Sequence, residues 1–195
     1  MPRIYMKEFS GIAVSSGTRK IPKIKREKNK TDYHPAQDYY KQIREAIITA
    51  HLKGKGIKHI TQEADACPNP KKKTNFQLIA KKYKEWYGRK KATWFLPPRG
   101  TYTFSISEII LNPELGLTIN DQTHVIKLYF AEESLSQNRA NYMIHLMKNQ
   151  LPEIHKYHVL DIRRKKLFNA TGDESVFLIS INSEIVGIET AWTSL

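Results

Sequence analysis

The chain has 195 residues, of which 40% are hydrophobic and 26% charged, and a formal net charge of +13. Its 3 Trp, 10 Tyr and 7 Phe are enough to build a core, which excludes a chain that is disordered throughout. Its single cysteine, Cys67, excludes an intramolecular disulfide and a zinc cluster built from several cysteines.

The sequence offers no signal for membrane insertion or secretion. The opening MPRIYMKEFSG lacks the apolar run of a signal peptide, and no segment reaches the ~18 apolar residues that a membrane span requires. We therefore expect no membrane association and a cytoplasmic location.

The positive charge is concentrated in the first half of the chain. Residues 1–96 contain 23 Lys and Arg against 8 Asp and Glu, whereas residues 97–195 contain 9 against 11. Lys and Arg that neutralise phosphates release condensed counterions, so a basic segment favours binding to DNA or RNA. The alternative is a solvated surface that is basic without binding a polyanion.

Residues 1–35 are predicted to form a basic N-terminal arm. Ile4, Phe9 and Ile12 would anchor its start, and the segment GTRKIPKIKREKNK at 17–30 would stay extended because Pro22 and the polar residues disfavour a long helix. The basic residues of this arm are Arg19, Lys20, Lys23, Lys25, Arg26, Lys28 and Lys30.

Residues 36–92 are predicted to form a helical region. Apolar residues recur at three- and four-residue spacing from Gln37, a second helix spans about 58–66, and a third starts at the capping box of Thr74 and Gln77. Three helices with a short middle one have the outline of a helix-turn-helix. The stripe from Phe76 to Trp86 is predicted to face the core, which leaves Lys81 and Lys84 facing outward.

Residues 93–195 are predicted to form an α/β domain with a mixed sheet. Strands are expected at about 102–106, at 109–111 continuing near 117–119, and at 124–130, with Asn120-Asp121 as a hairpin turn. A helix opened by Ser134 and Gln137 follows, then a hairpin through RRKK at 163–166, then a helix from Glu174. The RRKK turn is either solvated or an extension of a phosphate-binding track.

The order helix, three strands, helix, strand from residue 74 resembles the PD-(D/E)XK nuclease superfamily. The resemblance implies a restriction-endonuclease-like fold with Mg²⁺ as cofactor, Glu114 and Asp121 as metal ligands, and Lys127 as the third catalytic residue. The chain departs from the family pattern at Val125, two residues before Lys127, where the motif has Asp or Glu. The alternative is a structural ion pair between Lys127 and one of the two carboxylates.

The sequence as a whole predicts an α+β protein with a basic, helix-turn-helix-like N-terminal half. We expect it to bind nucleic acid, DNA in preference to RNA, through phosphates. The alternatives are a metal-dependent nuclease and a subunit that contacts a protein partner through its C-terminal half. The predicted phosphate contacts outside the arm are Lys71, Lys72, Lys73, Lys81, Lys84, Arg89, Lys90 and Lys91.

Overall fold

A computed structural model describes residues 1–30 and 38–195 and confirms the α+β class. The first half contains β1 (Arg3–Tyr5), α1 (Met6–Ala13), a 3₁₀ turn (Gly17–Arg19), α2 (Lys20–Lys28), α3 (Lys41–Leu52), α4 (Ile57–Asp65) and α5 (Pro70–Tyr87). The second half contains β2 (Thr93–Phe95), β3 (Gly100–Phe104), β4 (Ser107–Leu111), β5 (Leu115–Ile119), β6 (Gln122–Tyr129), α6 (Gln137–Gln150), β7 (Lys156–Asp161), β8 (Lys166–Phe168) and α7 (Glu174–Ser194).

The strands form two mixed sheets. The larger has the order β2-β5-β6-β7-β8, in which β6 and β7 are parallel and joined through α6 while the other pairs are antiparallel. The smaller has the order β1-β4-β3, with β1 and β4 parallel. The protein is therefore organised around a central five-stranded sheet with a second sheet beside it.

Both faces of the central sheet are buried. Along β6, Val125 and Tyr129 belong to one core cluster, whereas Ile126 and Leu128 belong to the other, because successive strand residues point to opposite faces. The first cluster includes α1, α2, α6, α7 and the small sheet, and the second includes α3, α4 and α5. The result is a central sheet between two helical layers.

The turn between β5 and β6 confirms the predicted hairpin. Asn120 and Asp121 have φ values of 49° and 59°, and Ile119 pairs directly with Gln122. Two consecutive residues in the left-handed region are typical of a type I′ turn, whose twist matches that of the flanking strands.

The expected continuity of residues 109–111 with 117–119 is wrong. β4 lies in the small sheet and β5 in the central sheet, so the chain changes sheets at Asn112-Pro113. Pro113 has no backbone N–H to donate to a ladder, which favours a break at this point.

The basic arm is not extended where the structure describes it. Residues 20–28 form α2. Pro22 does not prevent this helix, because it lies in the first turn, where a missing N–H removes no intrahelical hydrogen bond. The fully buried Ile24 anchors α2 in the first core cluster, together with Phe9 and Ile12 of α1. Residues 31–35 of the predicted arm lie outside the described residues.

The third helix of the predicted trio begins earlier than expected. Asn69 caps α5 by accepting a hydrogen bond from the Lys72 backbone N–H at 3.2 Å, and Pro70 occupies the first helical turn. The segment from Lys71 to Lys73 is therefore helical, and only four residues, 66–69, separate α4 from α5.

Among residues 1–30 and 38–195, no helix combines the length and the apolar character that a membrane crossing requires. Helix α7 is long enough but keeps one stripe, Ile181, Ile185 and Ile188, buried in the first core cluster.

Candidate nucleic-acid interface

The predicted phosphate-binding residues form two groups on opposite sides of the central sheet. Helix α2 packs in the cluster of α1 and α7 through Ile24, whereas α5 packs in the other cluster through Phe76 and Ile79. The two groups therefore lie on helices that pack against opposite faces of the sheet.

The lysines of α2 mainly hold the helix against its neighbours. Lys20 Nζ lies 2.5 Å from Glu184 Oε2 on α7, and Lys28 Nζ donates to the Trp192 carbonyl oxygen at 2.7 Å. Lys23 Nζ donates to the Gly11 carbonyl oxygen at 2.9 Å and to Ser15 Oγ at 2.7 Å. Hydrogen bonds from an ammonium group in partly buried surroundings contribute more to stability than neutral ones, so these cations dock α2.

The remaining cations on and beside α2 divide into two kinds. Lys30 and Arg26 pair with the buried carboxylate of Glu27, at 2.6 Å and 3.6 Å. Arg19 and Lys25 are exposed and have no ion-pair partner among the described residues. Among the seven predicted cations of the arm, these two are the ones that remain available to an anion in the described part of the chain.

Helix α5 presents a basic outer face. Its buried residues Phe76, Ile79 and Tyr83 occupy one side of the helix, and at 100° per residue Lys81 and Lys84 fall on the other. Both lysines are exposed, as are Arg89 and Lys91 just beyond the helix end. Within residues 1–30 and 38–195, none of these four cations has an ion-pair partner.

The other predicted cations of this region differ in surroundings. Lys71 is exposed and Lys73 partly buried, whereas Lys72 Nζ lies over the Tyr39 ring, 5.2 Å from its centroid. Lys90 donates to the Trp86 carbonyl oxygen at the end of α5, where a cation interacts favourably with the helix dipole.

The turn between β7 and β8 extends this face. Lys165 Nζ lies 2.9 Å from Glu85 Oε2, and Lys82 Nζ lies 3.5 Å from the same oxygen. The hydrogen bond from Lys165 is the main reason why the pKa of Glu85 is lowered, so this carboxylate stays ionised between two ammonium groups. The α5 basic face consists of Lys81, Lys82, Lys84, Arg89, Lys91 and Lys165. Lys166 is not part of it, because its ammonium group lies over the Phe168 ring on the opposite face of the central sheet.

A further contact fixes the position of the same turn. Arg163 donates through its guanidinium to Asn75 Oδ1 on α5 and, at 2.9 Å, to the Phe130 carbonyl oxygen. The sequence shows RRKK as a basic segment but does not place it beside α5, because the contact between Arg163 and Asn75 spans 88 residues of chain.

The predicted nuclease residues are only partly brought together. Lys127 Nζ lies 2.7 Å from Glu114 Oε1 and also donates to the carbonyl oxygen and Oδ1 of Asn112, both at 3.0 Å. The other carboxylate oxygen of Glu114 accepts from the Leu128 backbone N–H at 2.7 Å. All three donors of the ammonium group are occupied, so the arrangement is a closed, buried ion pair.

Asp121 is separated from this pair. Glu114 immediately precedes β5, whereas Asp121 is exposed in the turn that follows β5. A strand of 5 residues lies between them, which corresponds to roughly 17 Å at about 3.4 Å per residue. Among the described residues there is no group of three or more His, Cys, Asp and Glu side chains arranged to hold a metal ion.

The structure also brings together a polar chain that the sequence did not indicate. His124 Nδ1 lies 2.9 Å from His158 Nε2, and His158 Nδ1 lies 2.8 Å from Asn169 Oδ1. Burial lowers the pKa of His158 to about 4, and burial with the nearby Lys156 also lowers the pKa of His124. Both imidazoles are therefore neutral at pH 7; only the parallel pairing of β6 with β7 makes them neighbours.

Comparisons of the chain with protein-family models, with curated proteins and with solved structures found no match. The resemblance to PD-(D/E)XK nucleases remains a prediction from the sequence.

Proposed function

We propose that the protein binds nucleic acid by contacting phosphates with the α5 basic face. The observation that carries the proposal is that Lys81, Lys84, Arg89 and Lys91 are exposed on or next to one helix without an ion-pair partner in the described part of the chain. Cations that are already exposed need to break no internal ion pair to reach a phosphate, and a rigid helix holds them at fixed spacing.

The adjoining turn strengthens the proposal. Lys165 adds positive charge beside α5, and the carboxylate of Glu85 is already neutralised by Lys165 and Lys82. Since like charges brought together on one surface repel, such a cluster favours a polyanionic partner that relieves the repulsion. The outline of three helices ending in α5 favours DNA over RNA, as expected from the sequence.

The test compares two pairs of charge removals on opposite sides of the protein. Lys81→Gln with Lys84→Gln changes the α5 basic face, and Arg19→Gln with Lys25→Gln removes the same charge from exposed positions on and beside α2. Binding of labelled duplex DNA and RNA is measured by fluorescence anisotropy between about 50 and 200 mM salt. We expect the first pair to reduce the log–log salt slope by about 2 and the second pair to leave it nearly unchanged.

If both pairs reduce the salt slope equally, the protein binds nucleic acid through its net charge and not through a defined surface. Absence of binding at low salt would overturn the proposal and favour an acidic protein partner. Mg²⁺-dependent cleavage in the same samples would support the nuclease alternative.

A further inference from the structure

A groove lies where α5 ends and meets the β5–β6 hairpin. It has a volume of about 560 Å³ and is bounded by residues from both elements. Gly88, with φ of 55°, ends the helix and redirects the chain, so the three cations that follow line the groove. The lining residues are Glu85, Trp86, Tyr87, Gly88, Arg89, Lys90, Lys91, Ile119 and Asn120.

The groove combines aromatic rings with cations. Trp86 and Tyr87 are only partly buried, with their rings at the edge of the second core cluster. Lys90 Nζ lies over the Trp86 ring, 4.9 Å from its centroid, while Arg89 and Lys91 are exposed. Aromatic faces that stack on unpaired bases, beside cations that contact the connecting phosphates, are the usual elements of a single-strand binding site.

The position of Lys90 over the Trp86 ring indicates how a base would reach that ring. A cation and a nucleobase both interact favourably with the face of an indole. Lys90 extends from an exposed backbone position and is held there by the Trp86 and Tyr87 carbonyl oxygens. Its ammonium group can leave the ring without disturbing the core and then neutralise the phosphate of the base that replaces it.

A second groove of similar size also contains aromatic rings and cations, including Lys72 over the Tyr39 ring, but its charges are balanced. It has a volume of about 540 Å³ and lies between α3, α4 and the start of α5. Three acidic residues, Asp38, Glu45 and Glu63, line it together with three lysines, whereas the groove at the end of α5 has the single carboxylate of Glu85, which Lys165 and Lys82 already neutralise. A phosphate is therefore less favoured there than beside Arg89 and Lys91.

We propose that the groove at the end of α5 binds an unpaired nucleobase by stacking on Trp86, with Arg89 and Lys91 on the flanking phosphates. The proposal rests on the proposed function and specifies its substrate: nucleic acid with a single-stranded segment next to the part held by α5. A duplex keeps its bases stacked on one another, so it contacts only the α5 basic face.

The test uses the whole protein and a single-stranded oligothymidylate, with duplex DNA for comparison. We expect the oligothymidylate to quench the tryptophan fluorescence of the unaltered protein and duplex DNA to quench it much less. Trp86→Leu should weaken oligothymidylate binding roughly ten- to hundredfold, the usual loss when one stacking ring is removed. Its affinity for duplex should stay within about twofold.

Two matched substitutions control for the loss of a tryptophan. Trp94→Leu changes a partly buried ring of the same core cluster outside the groove, and Trp192→Leu changes one on the other side of the central sheet. Both variants should retain their affinity for oligothymidylate, and oligothymidylate should still quench most of the tryptophan fluorescence that it quenches in the unaltered protein. The quenching of the unaltered protein does not depend on whether Trp86→Leu folds.

The outcomes separate this proposal from the broader one. Two results would overturn the proposed base-binding site and leave the proposed phosphate binding intact. One is salt-sensitive binding to both nucleic acids without tryptophan quenching. The other is an unchanged affinity of Trp86→Leu for oligothymidylate. Absence of binding to either nucleic acid would overturn both.

Discussion

Helices α2 and α5 are both rich in lysine, but their cations face different surroundings. On α2, Lys20, Lys23 and Lys28 direct their ammonium groups at α1 and α7, which they hold in place. On α5, Lys81 and Lys84 face away from the core and have no ion-pair partner in the described part of the chain. A run of positive charge in a sequence therefore does not identify a binding surface until the partner of each cation is known.

Lys127 is a buried cation whose ammonium group is fully used in structural contacts. Its replacement should reduce the stability of the fold more than any other change proposed here. Lys127→Met leaves the carboxylate of Glu114 buried without its partner, so we expect the free energy of unfolding to fall by about 3–5 kcal/mol. Urea denaturation measures the change. Lys127→Met combined with Glu114→Met should recover part of the loss, because no unpaired charge remains although the Leu128 backbone N–H loses its acceptor. If the double variant is less stable than the single one, the pair has a role beyond mutual neutralisation.

The folded protein should lose stability at acidic pH, which limits the pH range in which variants of α2 and α5 can be compared. The pKa of His158 is lowered from 6.5 to about 4 in the folded protein, mainly by burial. The unfolded chain therefore binds more protons between these values, and stability falls as the pH drops from about 6.5 towards 4. We expect a loss of roughly 2 kcal/mol between pH 7 and pH 5 from this group. His51, whose pKa burial also lowers to about 4, acts in the same direction.

Denaturation at the two pH values checks this expectation, with His158→Gln as the comparison. Gln can still hydrogen bond to Asn169 and does not titrate, so the variant should lose less stability on acidification than the unaltered protein. An identical loss in both would assign the acid sensitivity to other groups.

The contrast between α2 and α5 is tested directly by single lysine replacements. Lys23→Met and Lys28→Met each remove ammonium hydrogen bonds to backbone carbonyls while keeping most of the side-chain stem, and each should reduce stability by about 1 kcal/mol. Lys81→Met and Lys84→Met remove no internal contact and should stay within about 0.5 kcal/mol. Thermal unfolding of the four variants measures the difference. Equal losses of stability in the variants of both helices would contradict the interpretation that the α2 lysines stabilise the fold while the α5 lysines are free to bind a partner.

Much of the fold could be predicted from local sequence. The spacing of Ile43 and Ile47 predicts α3, and Phe76 with Ile79 predicts α5, because each helix buries a continuous apolar stripe. Asn120-Asp121 predicts the hairpin, since these residues tolerate a positive φ. Helix α2 was missed because it buries only Ile24 and Glu27, and its stability comes from docking onto α7.

The candidate site was predictable only in part. The sequence indicates that Lys81 and Lys84 face outward, which follows from helical periodicity alone. It cannot show that Lys165 lies beside Glu85 or that α2 is on the other side of the central sheet. Both facts depend on contacts between residues far apart in the chain, and these are set by the topology of the central sheet.

The pairing of early and late segments also affects how the protein is made. Strand β1 pairs with residues 108–110, and Lys20 and Lys28 each contact α7 across 164 residues of chain. At synthesis rates of roughly 5–20 residues per second, α2 waits on the order of 10–30 s for the helix that it packs against. During that interval Phe9, Ile12 and Ile24 have no complete core, so the nascent chain presents apolar side chains next to a concentrated positive charge. These apolar side chains should therefore stay incompletely packed until α7 is available to cover them.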